Sequence, residues 1–327
     1  MTAGAPRVRP IRILLAAVPI ALAAKWAGAG DLVVFSLSAL AIVPLASLLG
    51  DATEQLAGHA GPVAGGVVNA SLGNLAELII GVLALRAGMV ELVKASITGS
   101  ILGNLLLVLA VVGLVVPALF HAAHPDPEHR LTLRMSEFVA ALLVIGYALS
   151  LVYSMGTHRA VFGEGGDVAH GEEAVAWTLR RTIVVLVVVS GGLAWMSELL
   201  VSATRGAVAS SGLSEFFVGV VVVPIIGNAA EHSTAVLMAA RNRMDLALGI
   251  ALGSTVQVAL LVAPVLVFTG VLLGRPLDLA FSTFEVAAVA LAVWIASVVV
   301  QDAESSWLEG AFLLIVYAVL GVAFYFF

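Results

Sequence analysis

The sequence predicts an all-α fold: a polytopic transmembrane helical bundle of about ten spans, built from two homologous repeats. Three observations carry that prediction. Of 327 residues, 61% are hydrophobic and 11% charged, and the mean hydropathy is +1.11. A soluble chain carries about 25% charged residues, so this alphabet cannot cover a water-exposed surface. Apolar runs long enough to cross a bilayer recur along the chain, and lipid offers no partner for an open strand edge, which leaves helices. Finally, a set of polar residues inside two of those runs occurs twice at one spacing. Other classes fall away on the same reading. The net charge of −6 lies mainly in loops, and no cysteine is available for a disulfide or a thiolate metal site. No basic patch interleaved with aromatics suits nucleic acid, and the polar loops are too short for a second domain. No nucleophile–base set or phosphate-binding loop points to an enzyme.

The N-terminus, MTAGAPRVRPIRILLAAVPIALAAKWAGAG, has the basic start, apolar core and small residues of a signal peptide. A second apolar run begins at Asp31, which favours a retained first span, and Arg7, Arg9 and Arg12 then predict a cytoplasmic N-terminus. A hydrocarbon core of about 30 Å needs roughly 20 helical residues. On that ruler the candidate spans run near 11–29, 31–50, 63–86, 89–121, 131–155, 176–203, 215–240, 244–272, 280–300 and 308–327. The longest polar connection, over 157–176, separates two halves.

The stretch GNLAELIIGVLALRAGMVELVKASITGSILGNLLLV (73–108) aligns without a gap on GNAAEHSTAVLMAARNRMDLALGIALGSTVQVALLV (227–262). Gly73/Gly227, Asn74/Asn228, Ala76/Ala230, Glu77/Glu231, Gly99/Gly253 and Ser100/Ser254 coincide, and Glu91 faces Asp245. Leucine-rich spans match by chance in their apolar letters. Polar letters at identical spacing mark an internal duplication. Each copy reads as a helical hairpin turning near Ala87–Met89 or Arg241–Arg243. At 1.5 Å per residue, Glu77 and Ser100 both lie roughly 17 Å from that turn, close to the bilayer midplane. Glu231 and Ser254 repeat the geometry.

A charge at the bilayer centre costs at least about 2.5–3.5 kcal/mol, so it faces protein or water and is paired, protonated or bound to an ion. Neither hairpin offers a lysine or arginine at that depth, which leaves a proton or a metal cation. Burial favours the protonated carboxyl group and a neighbouring cation favours the ionised one. Two such groups therefore form a site whose proton and cation occupancies exclude each other, the physical basis of antiport. The surrounding donors are oxygens, as calcium prefers: carboxylates, the hydroxyls of Ser100 and Ser254, and the amides of Asn104 and Gln257. Manganese accepts the same ligands. Gly73 and Gly227, the latter with Pro224 just ahead, mark places where a helix can unwind and expose carbonyls. Asn74 and Asn228 either join the site or tie down the freed backbone. Ser100 and Ser254 also suit close helix packing. His232 lacks companion ligands and faces Leu78 in the other copy, so it reads as a helper or packing residue.

GNLAEL with ASITGSILGNLLLVLA, and VVVPIIGNAAEHSTAVLMAARNRMDLALGIALGSTVQVAL, resemble the two signature repeats of the calcium/proton exchanger family. GDATEQLAGHAGPVAGGVVNA and QDAESSWLEG add to a resemblance that spans nearly the whole chain. It implies paired calcium- and proton-binding carboxylates at Glu77 and Glu231, with Ser100, Ser254 and Gln257 lining the site and Asn104 nearby. Glu54 and Glu198 are similar to acidic positions near the ion passage, although either also suits an ordinary interfacial carboxylate. The implied fold is two inverted five-helix repeats after one extra helix. That divides the chain into an extra helix (1–30), a first repeat (31–156), a cytoplasmic linker (157–175) and a second repeat (176–327). The implied activity is export of Ca2+ against H+ across the cell (inner) membrane, with the ions as cargo and no resident cofactor.

The chain departs from that pattern in one respect. Family members have eleven spans, and one span's worth of sequence is missing here after about residue 110. Inverted repeats need an even number of spans between the glutamate helices, and the count here is three. Threading ten spans puts Arg159, Arg180, Arg181, Arg241 and Arg243 outside, against the positive-inside rule. The expectation is that residues 89–130 return to their starting side as a broken or re-entrant pair. The rival readings are a sodium-coupled exchanger of the same superfamily and a non-transporting protein left inactive by the missing span.

Overall fold

The structure is a computed structural model that describes residues 10–104, 108–123, 130–153, 176–301 and 307–326. The linker expected at 157–175 lies outside them, and every regular element among the described residues is helical. A 3-10 segment (Pro10–Ala16) leads into α1 (Ala17–Trp26), followed by α2 (Asp31–Ala60), α3 (Pro62–Leu72) and α4 (Leu75–Arg86). Next come α5 (Val90–Asn104), α6 (Val108–Ala123), α7 (Arg130–Val152) and α8 (Leu179–Ser211). The second repeat continues with α9 (Glu215–Gly227), α10 (Ala229–Ala240) and α11 (Met244–Gln257). A π-turn (Val258–Val262) joins α11 to α12 (Ala263–Leu272), and α13 (Thr283–Gln301) and α14 (Trp307–Phe326) close the chain. Among the described residues, five uninterrupted helical stretches are long and apolar enough to cross a bilayer, and the bent pair α9–α10 passes the same test as a sixth.

Local sequence explains the boundaries. The Thr178 hydroxyl accepts from the Arg181 amide to open α8, and Gly212, at φ +75°, closes it. The two hairpin turns use equivalent left-handed residues, Gly88 at φ +74° and Asn242 at φ +60°, as the duplication predicts. The long helices α2 and α8 share the most extensive seam of the bundle, with α4 packed on α8 and α10 packed on α2. Their buried faces are built from small and branched residues such as Ala41, Ile42, Leu49, Leu193, Leu200 and Ala203.

Residues 89–121, counted above as one span by length, form two helices instead. Contacts fix where their ends lie. Lys94, near the start of α5, reaches Asp278 and Ala280 in the loop between α12 and α13, and Arg275 of that loop sits against Gly88. At the other end, His121 of α6 bonds Thr132 of α7, and Ser136, one turn on, accepts from the Leu279 amide of the same loop. The α5–α6 pair thus enters and leaves on one face of the bundle. Arg205 of α8 reaches the Ala87 carbonyl on that face, and Trp177 meets Gln55 at the opposite one. With this return, α4 and α10 run antiparallel, which restores the inverted relation that ten straight crossings would break.

Candidate ion-binding site

The spans carrying the acidic pair are broken in the middle. Each break falls on the duplicated asparagine, with Asn74 at φ −97°, ψ 25° and Asn228 at φ −88°, ψ 16°. Both are bridge-region conformations that a continuing helix does not use. In the second repeat the halves α9 and α10 differ in direction by 59°. Neither asparagine caps its own helix with its side chain; the amides reach across the bundle instead. The Asn74 amide donates to Gln257 Oε1. The Asn228 amide donates to Ser100 Oγ at 3.2 Å and to the Pro224 carbonyl at 3.1 Å, and its Oδ1 accepts from Ser254 Oγ at 3.3 Å. Asn228 therefore ties the first repeat's serine to the second's.

Glu77 and Glu231 occupy the first turns of α4 and α10, where the positive end of a helix favours a carboxylate. Glu77 is only 8% exposed, and Asn74 and Asn228 are each 1% exposed, so water does not solvate them freely. A Cβ added at Gly227 would stand 3.3 Å from Glu77 Cγ and 3.5 Å from its Oε1. The first repeat's carboxylate thus rests on the second repeat's break, within electrostatic reach of Glu231. Four oxygens gathered here are buried and have no hydrogen-bond partner among the described residues: Glu77 Oε1 and Oε2, Asn74 Oδ1 and Glu231 Oε2. An unsatisfied buried polar group costs about 1–3 kcal/mol, and more when charged. A cavity of about 20 Å3 opens beside Glu77, bordered by Ser96, Ser100, Gly81 and Leu266, with room for one water.

Other expected residues fall around this centre. Gln257 is half-buried and holds Asn74, a contact without a counterpart in the first copy, where Gly103 stands at the equivalent position. Gly73 lies against Gln257, its Cβ position 3.5 Å from Oε1. His232 is half-buried beside Glu231. Asn104 closes α5, and its side chain lies outside what the structure describes. Glu54 and Glu198 are exposed on α2 and α8. Glu198 is in the middle third of α8 and not near a helix end, as an interfacial carboxylate would be. No group of three or more His, Asp or Glu side chains suited to a metal occurs among the described residues. A cation here would meet two carboxylates and otherwise neutral oxygens. Such a set suits an ion that must also leave.

The two halves are unequally covered. α4 packs on α5, α8, α9 and α12 and buries six residues, whereas α10 packs mainly on α2, α9 and α11 and buries only Ala229. The first-repeat counterpart of α12 would cover α10, but α6 packs against α7 and α13. Glu231 is consequently less buried than Glu77. Pairwise matching of the repeats cannot reveal this difference, because it arises where the first copy stops following the second.

Comparison with known proteins agrees with this architecture. The family described as sodium/calcium exchanger protein matches residues 31–165 and 181–326. A Ca(2+)/H(+) antiporter of a Synechocystis species is 41% identical, over 96% of this chain and 96% of its own length. The Ca(2+)/H(+) antiporter ChaA of Bacillus subtilis is 33% identical, over 96% and 97%. The crystal structure of the Ca2+/H+ antiporter protein YfkE superimposes with a TM-score of 0.83 at 31% identity, covering 97% of this chain and 99% of that one. The Synechocystis alignment runs over 358 positions, 31 more than this chain possesses, so at least that many positions of the relative have no counterpart here. That number is about the length of one span with its loop. With the duplicated motif, the helical fold and these matches together, the chain belongs to the calcium/proton exchanger branch of the sodium/calcium exchanger family.

Proposed function

We propose that this chain is a calcium/proton antiporter of the cell (inner) membrane, exporting Ca2+ in exchange for H+ at a site shared by Glu77 and Glu231. The observation that carries the reading is the cluster of buried, unpartnered oxygens contributed by both repeats at their breaks. The names of the relatives support the choice of ions. Two ionised carboxylates in a low-dielectric site repel, and either protons or one divalent cation relieves that repulsion. Calcium takes about 6–8 oxygens and tolerates irregular geometry. Glu77, Glu231, the Asn74 carbonyl, Ser100 and Ser254 would supply most of them, with Asn104 nearby and water completing the shell. Gln257 holds the Asn74 amide nitrogen and so leaves Asn74 Oδ1 to the ion. Gly73, Gly227 and Asn228 keep the half-helix ends together, and His232 packs beside Glu231. The exposed carboxylates Glu54 and Glu198 would draw cations toward the bundle.

Each charge moved across the membrane is worth about 2.3 kcal/mol per 100 mV, enough for a proton gradient to drive calcium outward. The test is calcium uptake by everted vesicles energised with a proton gradient. Uptake should collapse with a protonophore and fall to background in Glu77→Gln and in Glu231→Gln. Full uptake in either variant, or uptake that follows an imposed sodium gradient instead, would refute the proposal. Calcium binding without any flux would favour the non-transporting reading.

A further inference from the structure

A second polar cluster, buried at Thr98 and Glu285 and half-buried at Lys94 and Asp278, is unrelated to the duplication and sits on the back of α5. Lys94 Nζ donates to Asp278 Oδ1 at 2.9 Å and to the Ala280 carbonyl at 2.6 Å. One turn further on, Thr98 Oγ1 donates to Glu285 Oε1 at 2.8 Å. The acceptors are themselves held. Asp278 Oδ1 also accepts from the Ala280 amide, and Glu285 Oε2 accepts from the Ser282 amide. Thr98 and Glu285 are 0% and 3% exposed. Every bond between α5 and this cluster crosses from the first repeat to the second.

The placement has a geometric consequence. Residues four apart share a helix face, so Lys94 and Thr98 present one side of α5 to α13 and its loop. Ser100, two residues beyond Thr98, points the other way and accepts from Asn228. Two anchors one turn apart fix both the rotation and the height of a helix. α5 needs such anchors, because α6 runs back to the face where α5 began, and a helix of 15 residues spans only about 22 Å. The half-buried Lys94–Asp278 pair adds little net stability, and its role here is to hold one geometry.

We infer that Lys94 and Thr98, gripped by Asp278 and Glu285, form a clamp between the repeats that positions Ser100 at the ion site. The inference rests on the reading of Ser100 as part of that site. The four residues are positioning residues and need not touch the ion.

The test is the calcium concentration dependence of proton-driven uptake, normalised to folded protein, for Thr98→Val, Thr98→Ser, Ser100→Ala and the Thr98→Val/Ser100→Ala pair. Thr98→Val should raise KM for calcium by about tenfold with a smaller change in kcat, as a displaced ligand would. Thr98→Ser, which keeps the hydroxyl, should restore the parent KM. The paired variant should behave as Ser100→Ala alone, because a clamp has nothing to position once the hydroxyl is gone. If Thr98→Val does not fold, the Lys94→Met/Asp278→Asn pair removes the other anchor without stranding a charge, and the same rise in KM is expected. If Ser100→Ala raises KM while the clamp variants do not, or their effects add to it, the clamp is overturned and the site reading survives. If Ser100→Ala leaves KM unchanged, both fall.

Discussion

At the scale of single residues, Gly227 and Asn228 decide how the acidic pair is held. Glu77 packs where a side chain at 227 would begin, with 3.3 Å between its Cγ and a Cβ placed there. Gly227→Ala should therefore displace the carboxylate by a few tenths of an ångström and slow exchange by about tenfold, since small misplacements of reacting groups are expensive. The protein should still fold, and vesicle uptake per unit of purified protein measures the loss. The Asn228 side chain bonds Ser100, Ser254 and Pro224 in a buried setting. Asn228→Ala removes those side-chain bonds while the Pro224 carbonyl still accepts from the residue-228 backbone amide, so a destabilisation of about 1–3 kcal/mol in total is expected from the loss. Thermal unfolding in detergent reads that change. The comparison with Gly227→Ala separates loss of site geometry from loss of stability.

At the scale of elements, the α5–α6 pair is the feature that sets this chain apart from a straight count of spans. The chain has no native cysteine, so single cysteines report topology cleanly. Cysteines replacing Ala87, at the α4–α5 turn, and Ala123, at the end of α6, should both label from one side of the membrane. A cysteine replacing Ala240, at the end of α10, should label from the other. Labelling of positions 87 and 123 from opposite sides would mean that residues 90–123 cross the membrane. Close packing on α5 adds a second expectation. A Cβ at Gly219, in the π-turn of α9, would meet Ala95 Cβ at 2.6 Å and the Leu92 carbonyl at 2.9 Å. Gly219→Ala must push two helices apart, and overpacking of this kind costs about 1–3 kcal/mol. A lower unfolding temperature is the expected result.

At the scale of the whole molecule, the two repeats and their acidic pair were legible because duplication writes polar residues twice at fixed spacing, whereas the inverted arrangement was legible only through the family resemblance. The turns at Gly88 and Asn242 followed from the same pattern, but the breaks expected at Gly73 and Gly227 fall one residue later, on Asn74 and Asn228, with both glycines still in right-handed helical geometry. The return of residues 90–123 was legible only as a requirement of parity; the contacts of Lys94, His121 and Ser136 give it a physical form. The clamp of Thr98 on Glu285 was not legible, since the partners lie far apart in the chain and have no echo in the other repeat. The exposure of α10 was hidden for a similar reason, as it follows from where α6 does not pack. The proposed mechanism has one consequence for the assembled protein: protons and calcium would compete for the same buried oxygens. Proton release on adding calcium to the purified protein at several pH values tests this most directly. Calcium should displace protons and bind more weakly as pH falls, and both effects should vanish in the Glu77→Gln/Glu231→Gln pair. Calcium binding of unchanged affinity across pH, with no protons released, would contradict the account.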